Sequence, residues 1–559
     1  MIPDHYMKRT SWRLWRFLSI ICFFLSNTCF CQAKVIPWPV IAKWGVFEKE
    51  FRSSVTYANP LQDITLSVEF TSPQGEKIKT YGFWDGARIW KFRFSPDQAG
   101  KWTYQTSCSD AANTNLNKVI GEFLCVKTTR KSRFDLHGPI QLSHDQVCLE
   151  HQDHTPFLWL ADIAWSGALL SKSTEWETYA GQRAKQSFTA VQWVAAPGRN
   201  SRNQSVFEST STTLTINLNL FQQLDSRIET LNRAGLLSAI LPLRDLEAQA
   251  PGLETIPEEQ AVQLLRYMVA RWGAYNVAWI IMCEGDNLST QVARWKRVGR
   301  SVFANQHHAP VILHPGTTYW VLDEFRAEPW VDVLSYQSGQ EADDNALQWL
   351  LAGPLAIDWQ RVPLKPFINL APYYENSSAP ASVTQTSMVR RLIYWSLLNA
   401  PTAGVSYGAD GVWNWQKEAA NKRPNSNAGS PVWQKNLTMP VAEQMKIVGQ
   451  IFNSIEFWRL RPAPGMLVVQ PGDEHPARHI SATQSSLKDL SVIYIPEERS
   501  VDLKATTIPT PLKATWINAR TGDRMDAVGY VAGPICRFIT PQPGDWLLLI
   551  QPDPLPSAH

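Results

Sequence analysis

Between Phe157 and Phe452 short apolar runs alternate with longer segments of helical spacing, and no other feature restricts the fold as much. The runs are Phe157–Ala161, Phe188–Trp193, Leu237–Leu241, Asn276–Cys283, Pro310–His314, Val331–Gln337, Pro366–Leu370 and Ala403–Gly408. Strands that read as apolar throughout are strands covered on both faces, which is the condition of a parallel sheet. The intervening segments carry helical periodicity: Thr174–Lys185, Leu220–Ala234, Glu258–Trp272, Val292–Asn305, Val383–Leu398 and Val441–Phe452. Gly235 stops the second of these at a C-cap position. Right-handed crossovers between parallel strands leave one arrangement for eight such units, a (β/α)8 TIM barrel.

The texture differs on either side. From about Val35 to Val126 the pattern is strand alternation, as in Ile64–Phe70 and Ile89–Phe94, with turn residues at Ser95-Pro96-Asp97. This reads as an immunoglobulin-like β-sandwich. After about Met466 short alternating runs return, such as Leu490–Ile495, and predict a C-terminal β-sandwich. The expected organisation is a signal peptide over 1–33, the first sandwich over 34–127, a linker over 128–153, the barrel over 154–462 and the second sandwich over 463–559. Lys8, Arg9, Arg13 and Arg16 precede the short apolar segment Phe17–Leu25, the pattern of an export signal; a secreted or periplasmic protein is expected, with no stable membrane insertion.

A net charge of +3 argues against nucleic acid as a partner. Beyond the signal the cysteines are 108, 125, 148, 283 and 536, too sparse and uneven for a disulfide framework; a hairpin centred near Asn115 would put Cys108 and Cys125 out of register. No His/Cys spacing suggests a metal, and no cofactor motif occurs. The 25 tryptophans are the informative excess. Most belong in the core, but aromatic faces on a rim suit the C–H faces of sugar rings, so the expected partner is a carbohydrate.

In a barrel of this kind the C-terminal strand ends build the active site. They nominate Asp162 after strand one, Gln192 at strand two, Arg244 with Asp245 after strand three, and Glu284 and Asp286 after strand four. His314 ends strand five, Tyr336 and Gln337 strand six; Tyr373, Tyr374 and Glu375 follow strand seven, and Tyr407, Asp410, Trp413 and Trp415 strand eight. Cleaving a glycosidic bond takes two carboxyl groups across it, one to protonate the leaving oxygen and one to act as nucleophile or to activate water. Glu284 or Asp286 supplies one, and Glu375 is the expected partner.

Several motifs together resemble the apiosidase-like glycoside hydrolase barrels. They are Pro156-Phe-Leu-Trp-Leu-Ala-Asp-Ile-Ala-Trp165, Trp279-Ile-Ile-Met-Cys-Glu-Gly-Asp286, His314-Pro-Gly316, Tyr336-Gln-Ser-Gly339 and Tyr407-Gly-Ala-Asp-Gly-Val-Trp413. The segments Tyr81-Gly-Phe-Trp-Asp-Gly86 and Ser95–Tyr104 resemble the immunoglobulin-like domain that often precedes such barrels, and Ala514–Asp523 the domain that follows them. The resemblance implies a sugar site that includes Asp162, Trp165, Gln192, His314, Tyr336, Gln337, Tyr374, Tyr407 and Trp413. It also marks departures. Where the family reads Asn-Gly-Glu-Pro-x-Tyr-Glu, this chain reads Asn369-Leu-Ala-Pro-Tyr-Tyr-Glu375, which puts Ala371 at the position of the family's first Glu. At strand four many relatives read Gly-Gly-Asp, and Cys283-Glu-Gly-Asp286 offers two acids instead. Three functions are compatible with this pattern: an exported hydrolase of polysaccharide side chains, a glycan-binding barrel that has lost a carboxylate, and a structural surface module.

Overall fold

The computed structural model describes residues 38–129, 131–244, 256–283, 288–304, 306–376, 383–418, 432–497, 499–508 and 512–552. The expected signal segment, Asp245, Glu284 and Asp286 lie outside the described residues.

Eight parallel strands close into a barrel in sequence order: β1 (Trp159–Ile163), β2 (Ala190–Val194), β3 (Leu237–Leu241), β4 (Val277–Cys283), β5 (Val311–Pro315), β6 (Val333–Tyr336), β7 (Phe367–Asn369) and β8 (Gly404–Tyr407). Closure is made by β8 lying beside β1, with Asp162 opposite Tyr407. Ala161, Ala190, Ala239, Ala278, Ile280, Ile312, Val333 and Ile368 pack together inside the ring. Their neighbours in sequence, among them Leu160, Val191, Ile240, Trp279, Leu313, Leu334, Phe367 and Val405, face the surrounding helices. The two-residue pleat therefore has an apolar layer on each side, which is why the runs read as continuous.

The outer ring includes α1 (Ser173–Lys185), α2 (Leu218–Arg233), α3 (Glu258–Trp272), α4 (Leu288–Phe303), α5 (Asp344–Ala352), α6 (Val383–Leu398) and α7 (Pro440–Asn453). Helix α2 starts where the Asn217 side chain accepts from the Leu220 N–H, and buries Leu220, Phe221, Leu224, Ile228 and Leu231 along one stripe.

The N-terminal sandwich packs a five-stranded sheet, ordered Val40–Ala42, Ile120–Val126, Gly100–Cys108, Leu66–Thr71 and Lys77–Tyr81, against the strands Phe47–Arg52, Ile89–Phe94 and Phe83–Trp84. Cys125 is opposite Gly100 and Cys108 opposite Leu66, so the two thiols lie at different levels of the sheet; both are free and buried. The C-terminal sandwich packs a six-stranded sheet that includes Ser491–Ile495, Leu512–Asn518 and Trp546–Pro552 against Ser500–Lys504, Ile535–Ile539 and Gly529–Ala532.

Buried ion pairs join each sandwich to the barrel. Arg93 of the first donates to Asp225 of α2 at 2.8 Å, and Arg271 of α3 donates to both Asp225 and Asp85. Arg390 of α6 grips Asp545 of the second with two bonds, of 2.6 and 2.7 Å. Buried pairs of this kind fix relative placement because each charge is costly without its partner. Among the described residues no helix is long and apolar enough to cross a membrane.

Candidate active site

The C-terminal ends of the strands carry a half-buried aromatic rim above a buried polar floor. Trp165 follows β1, Tyr374 follows β7 and Trp413 follows β8, and all three are partly accessible. The Trp165 Nε1–H donates to the Tyr374 hydroxyl at 3.4 Å, and the Tyr374 and Trp413 rings lie 6.4 Å apart. Tyr374 is held at its backbone, where its N–H donates to the Gln340 Oε1 at 2.9 Å. A methyl at Gly408 would stand 2.4 Å from the Tyr374 ring, so that position admits only glycine at this approach.

His314 projects inward from β5, 1% exposed, with its ring centroid 6.3 Å from that of Trp165. The Ser335 hydroxyl donates to the Leu313 carbonyl at 2.6 Å and so meets His314 Nδ1, at 3.3 Å, as an acceptor. Nδ1 therefore carries the proton and Nε2 is the acceptor side of the ring. Burial, reinforced by the charge of Arg244, holds the imidazole down to about 3, so it is neutral at ordinary pH. Arg244 is tied at its backbone to the Ala196 carbonyl at 2.7 Å, and its buried Nε has no hydrogen-bond partner among the described residues.

Gln192 and Gln337 complete the floor. Gln192 is fully buried, donates to the Leu370 carbonyl at 3.2 Å and accepts from the Ser406 hydroxyl, joining the ends of β2, β7 and β8 across the barrel. Gln337 donates to the Pro315 carbonyl at 2.6 Å and so ties the ends of β5 and β6. Both hold the floor in shape.

Several residues nominated from the strand ends take other positions, among them Trp415, which is buried against Trp176 and Trp433. Asp162 points outward from β1 and is fully buried, accepting from Arg183 Nε at 2.7 Å and the Tyr179 hydroxyl at 2.5 Å, both on α1. Burial pushes its carboxyl above the usual range, against the pull of Arg183 and the two hydrogen bonds. Tyr336 also points outward, packed against Trp320 and Trp349. Tyr407 faces the same flank as Asp162, fully buried, and donates to Glu375 Oε2 at 2.5 Å.

Glu375 itself is 1% exposed. Its oxygens accept the Val441 N–H of α7 at 3.1 and 3.2 Å, which makes it an anionic cap on that helix. Burial raises its pKa, and the Tyr407 hydroxyl, the N–H groups of Val441 and Ala442, and Arg183 pull it back. In place of a rim carboxylate there is a helix cap, because the backbone at Glu375 pairs in parallel with Ala409 beyond β8 and sets the side chain against the start of α7. Ala371, 4% exposed, brings no carboxylate of its own.

Sequence reasoning passed over Ser335, which sets the His314 tautomer, and Gln340, which orients Tyr374. Pleat parity could have found the first, two residues before Gln337; nothing local marks the second.

The model of the apiosidase-like catalytic domain matches residues 143–459, more than half of the 559, and this chain belongs to that family. A domain of unknown function, DUF5060, matches residues 40–109 within the first sandwich. Among curated proteins none matches. Three solved structures share the fold. One is named a glycoside hydrolase, with 18% identity and a TM-score of 0.63, covering 76% of this chain and 99% of its own. A family 5 glycoside hydrolase from Bacteroides vulgatus ATCC 8482 has 18% identity and a TM-score of 0.65, covering 77% and 97%. A further Bacteroides vulgatus ATCC 8482 protein, named as a proposed glycoside hydrolase, has 19% identity and a TM-score of 0.68, covering 92% and 99%. The chain is thus a glycoside hydrolase by family.

Proposed function

We propose that the protein is an exported enzyme that hydrolyses a glycosidic bond in a polysaccharide or its side chains, using the two acids of strand four, Glu284 and Asp286, as its catalytic carboxylates. One protonates the leaving oxygen while the other stabilises or attacks the anomeric centre, directly or through water. Glu375 supports the fold. The observation that carries this assignment is the burial of the other two acids away from the rim: Asp162 gives one oxygen to Arg183 and the Tyr179 hydroxyl on the helix side of β1, and Glu375 gives both of its oxygens to the Tyr407 hydroxyl and the start of α7. Trp165, Tyr374 and Trp413 supply stacking faces for sugar rings. The neutral His314 offers Nε2 to a sugar hydroxyl. The export signal in the sequence supports action outside the cytoplasm.

Release of reducing sugar from a panel of plant and microbial cell-wall polysaccharides tests this. Wild-type protein should release product from at least one, and Glu284→Gln and Asp286→Asn should each reduce the rate by about 10²-fold or more. Full activity in both variants would refute the assignment.

A second reading draws on one observation, that the segment after β7 carries buried Ala371, where the family resemblance places a Glu, with Glu375 occupied as a cap. A barrel short of a carboxylate would bind glycans without cutting them. Saturable binding with no product across the panel is its signature.

A further inference from the structure

A cleft of about 380 Å³ is bordered by the segment that leaves β1, beginning at Leu169, four residues beyond the rim residue Trp165. Its walls come from 169–173, after β1, and from 200–204 and 219–227, after β2 and at the start of α2. All three stretches follow C-terminal strand ends, so the cleft opens on the same end of the barrel as the candidate active site.

Its lining is cationic. Lys172, Arg202 and Arg227 all border it, with Asn219 and Gln223 as amide donors, and among the described residues no carboxylate lines it. Lys172 and Arg202 are exposed, whereas Arg227 is 3% exposed. The Arg227 guanidinium donates to the Ala168 carbonyl at 3.2 Å, the Ser173 hydroxyl at 3.1 Å and the Ser171 carbonyl at 2.7 Å, all neutral oxygens. Three of its five N–H groups are thereby used. The other buried guanidinium groups described above, on Arg93, Arg183, Arg271 and Arg390, each meet a carboxylate. Arg227 does not, and burial lowers its pKa despite the more distant charges of Glu175 and Glu177. Glu175 is spent on the Lys172 N–H at 2.8 Å and on Lys417 at 3.4 Å. The hydroxyl of Ser171, a residue that lines the cleft, is buried without a hydrogen-bond partner among the described residues.

A buried cation without a counter-charge is costly unless something supplies one. A guanidinium with spare N–H groups, two flexible cations and amide donors suit a carboxylate or a sulfate. We propose that this cleft is an anion-binding subsite, which holds a negatively charged sugar unit, a uronate or a sulfate ester, of the polysaccharide whose bond is cut at the neighbouring rim. That the anion belongs to a glycan rests on the proposed function; the preference for an anion rests on the lining alone.

Calorimetric binding to the full-length protein at low salt tests it. The probes are oligogalacturonate and its carboxyl-reduced form, and sulfated galactan oligosaccharides and their desulfated form. At least one charged probe should bind about tenfold or more tightly than its neutral counterpart, and which of them does so separates uronate from sulfate. The double variant Lys172→Glu/Arg202→Glu should lose that preference with its melting temperature unchanged. Arg227→Met should lose it too; should that variant fail to fold, the exposed pair still decides. Equal binding of charged and neutral probes, no binding of either charged probe, or undiminished preference in the double variant would overturn the proposal. Charge-selective binding without any hydrolysis would count against the catalytic assignment alone.

Discussion

Two flanks of the barrel use arginine in opposite ways. Between β1, β8, α1 and α7, Arg183 is fully buried, and Asp162 sits 2.7 Å from it; Tyr407 and Glu375 extend the same packing to the start of α7. Beyond the loop after β1, Arg227 is almost as buried and donates, among the described residues, to neutral oxygens. The first flank pairs its cation with a carboxylate and serves the fold. The second has no carboxylate in contact with its cation among the described residues, and it faces a cleft. A charged residue near a strand end is thus informative about function only once its partner is known.

The comparison breaks most visibly at Asp162. Asp162→Asn leaves Arg183 buried and unpaired, and should lower the unfolding free energy by about 3–5 kcal/mol in a denaturant titration. A loss below about 1 kcal/mol would mean that the flank is not closed by this pair.

Acid should act next. Folding lowers the His314 pKa to about 3 from an ordinary value near 6.5, and His151 and His479 are each held at about 4 by burial. Between those values the unfolded chain binds protons that the folded protein refuses. Their contribution is therefore complete above pH about 6.5 and is lost as pH falls toward 4, at up to roughly 1.4 kcal/mol per pH unit for each imidazole. His314→Gln should flatten the slope of melting temperature against pH across that window. An unaltered slope would contradict the burial of a neutral ring.

Glu375→Gln should cost about 1–2 kcal/mol through the cap on α7. Its rate of sugar release should stay within about threefold of wild type. Smallest of all, Lys172→Glu/Arg202→Glu should change stability by less than about 0.5 kcal/mol, because neither side chain is buried.

The barrel was legible because β1 to β8 are covered on both faces, so each appears as a compact apolar run ahead of a periodic helix. Helix α5, nine residues with Leu347, Leu350 and Leu351 buried, is too short to announce itself in that way. Side-chain direction was the harder matter. In a strand as uniformly buried as Trp159-Leu-Ala-Asp-Ile163, hydrophobicity does not distinguish inward from outward, so Asp162 was expected on the sugar side and lies on the helix side. Trp165, Tyr374 and Trp413 were legible as rim aromatics because loops follow them. The role of Glu375 depends on the N–H of Val441, 66 residues away, and the cleft around Arg227 gathers two loops and the first turns of α2. Neither leaves a local signal.

We propose that hydrolysis rests on the two acids that follow β4 in the sequence and that the acid after β7 serves the fold. Turnover of Glu284→Gln, Asp286→Asn and Glu375→Gln on one cleaved polysaccharide, each paired with its melting temperature, separates the two roles. Glu284→Gln and Asp286→Asn should lose about 10²-fold or more at unchanged melting temperature, whereas Glu375→Gln should melt earlier yet turn over near the wild-type rate. Loss of turnover in Glu375→Gln at an unchanged melting temperature, with the strand-four variants active, would contradict it.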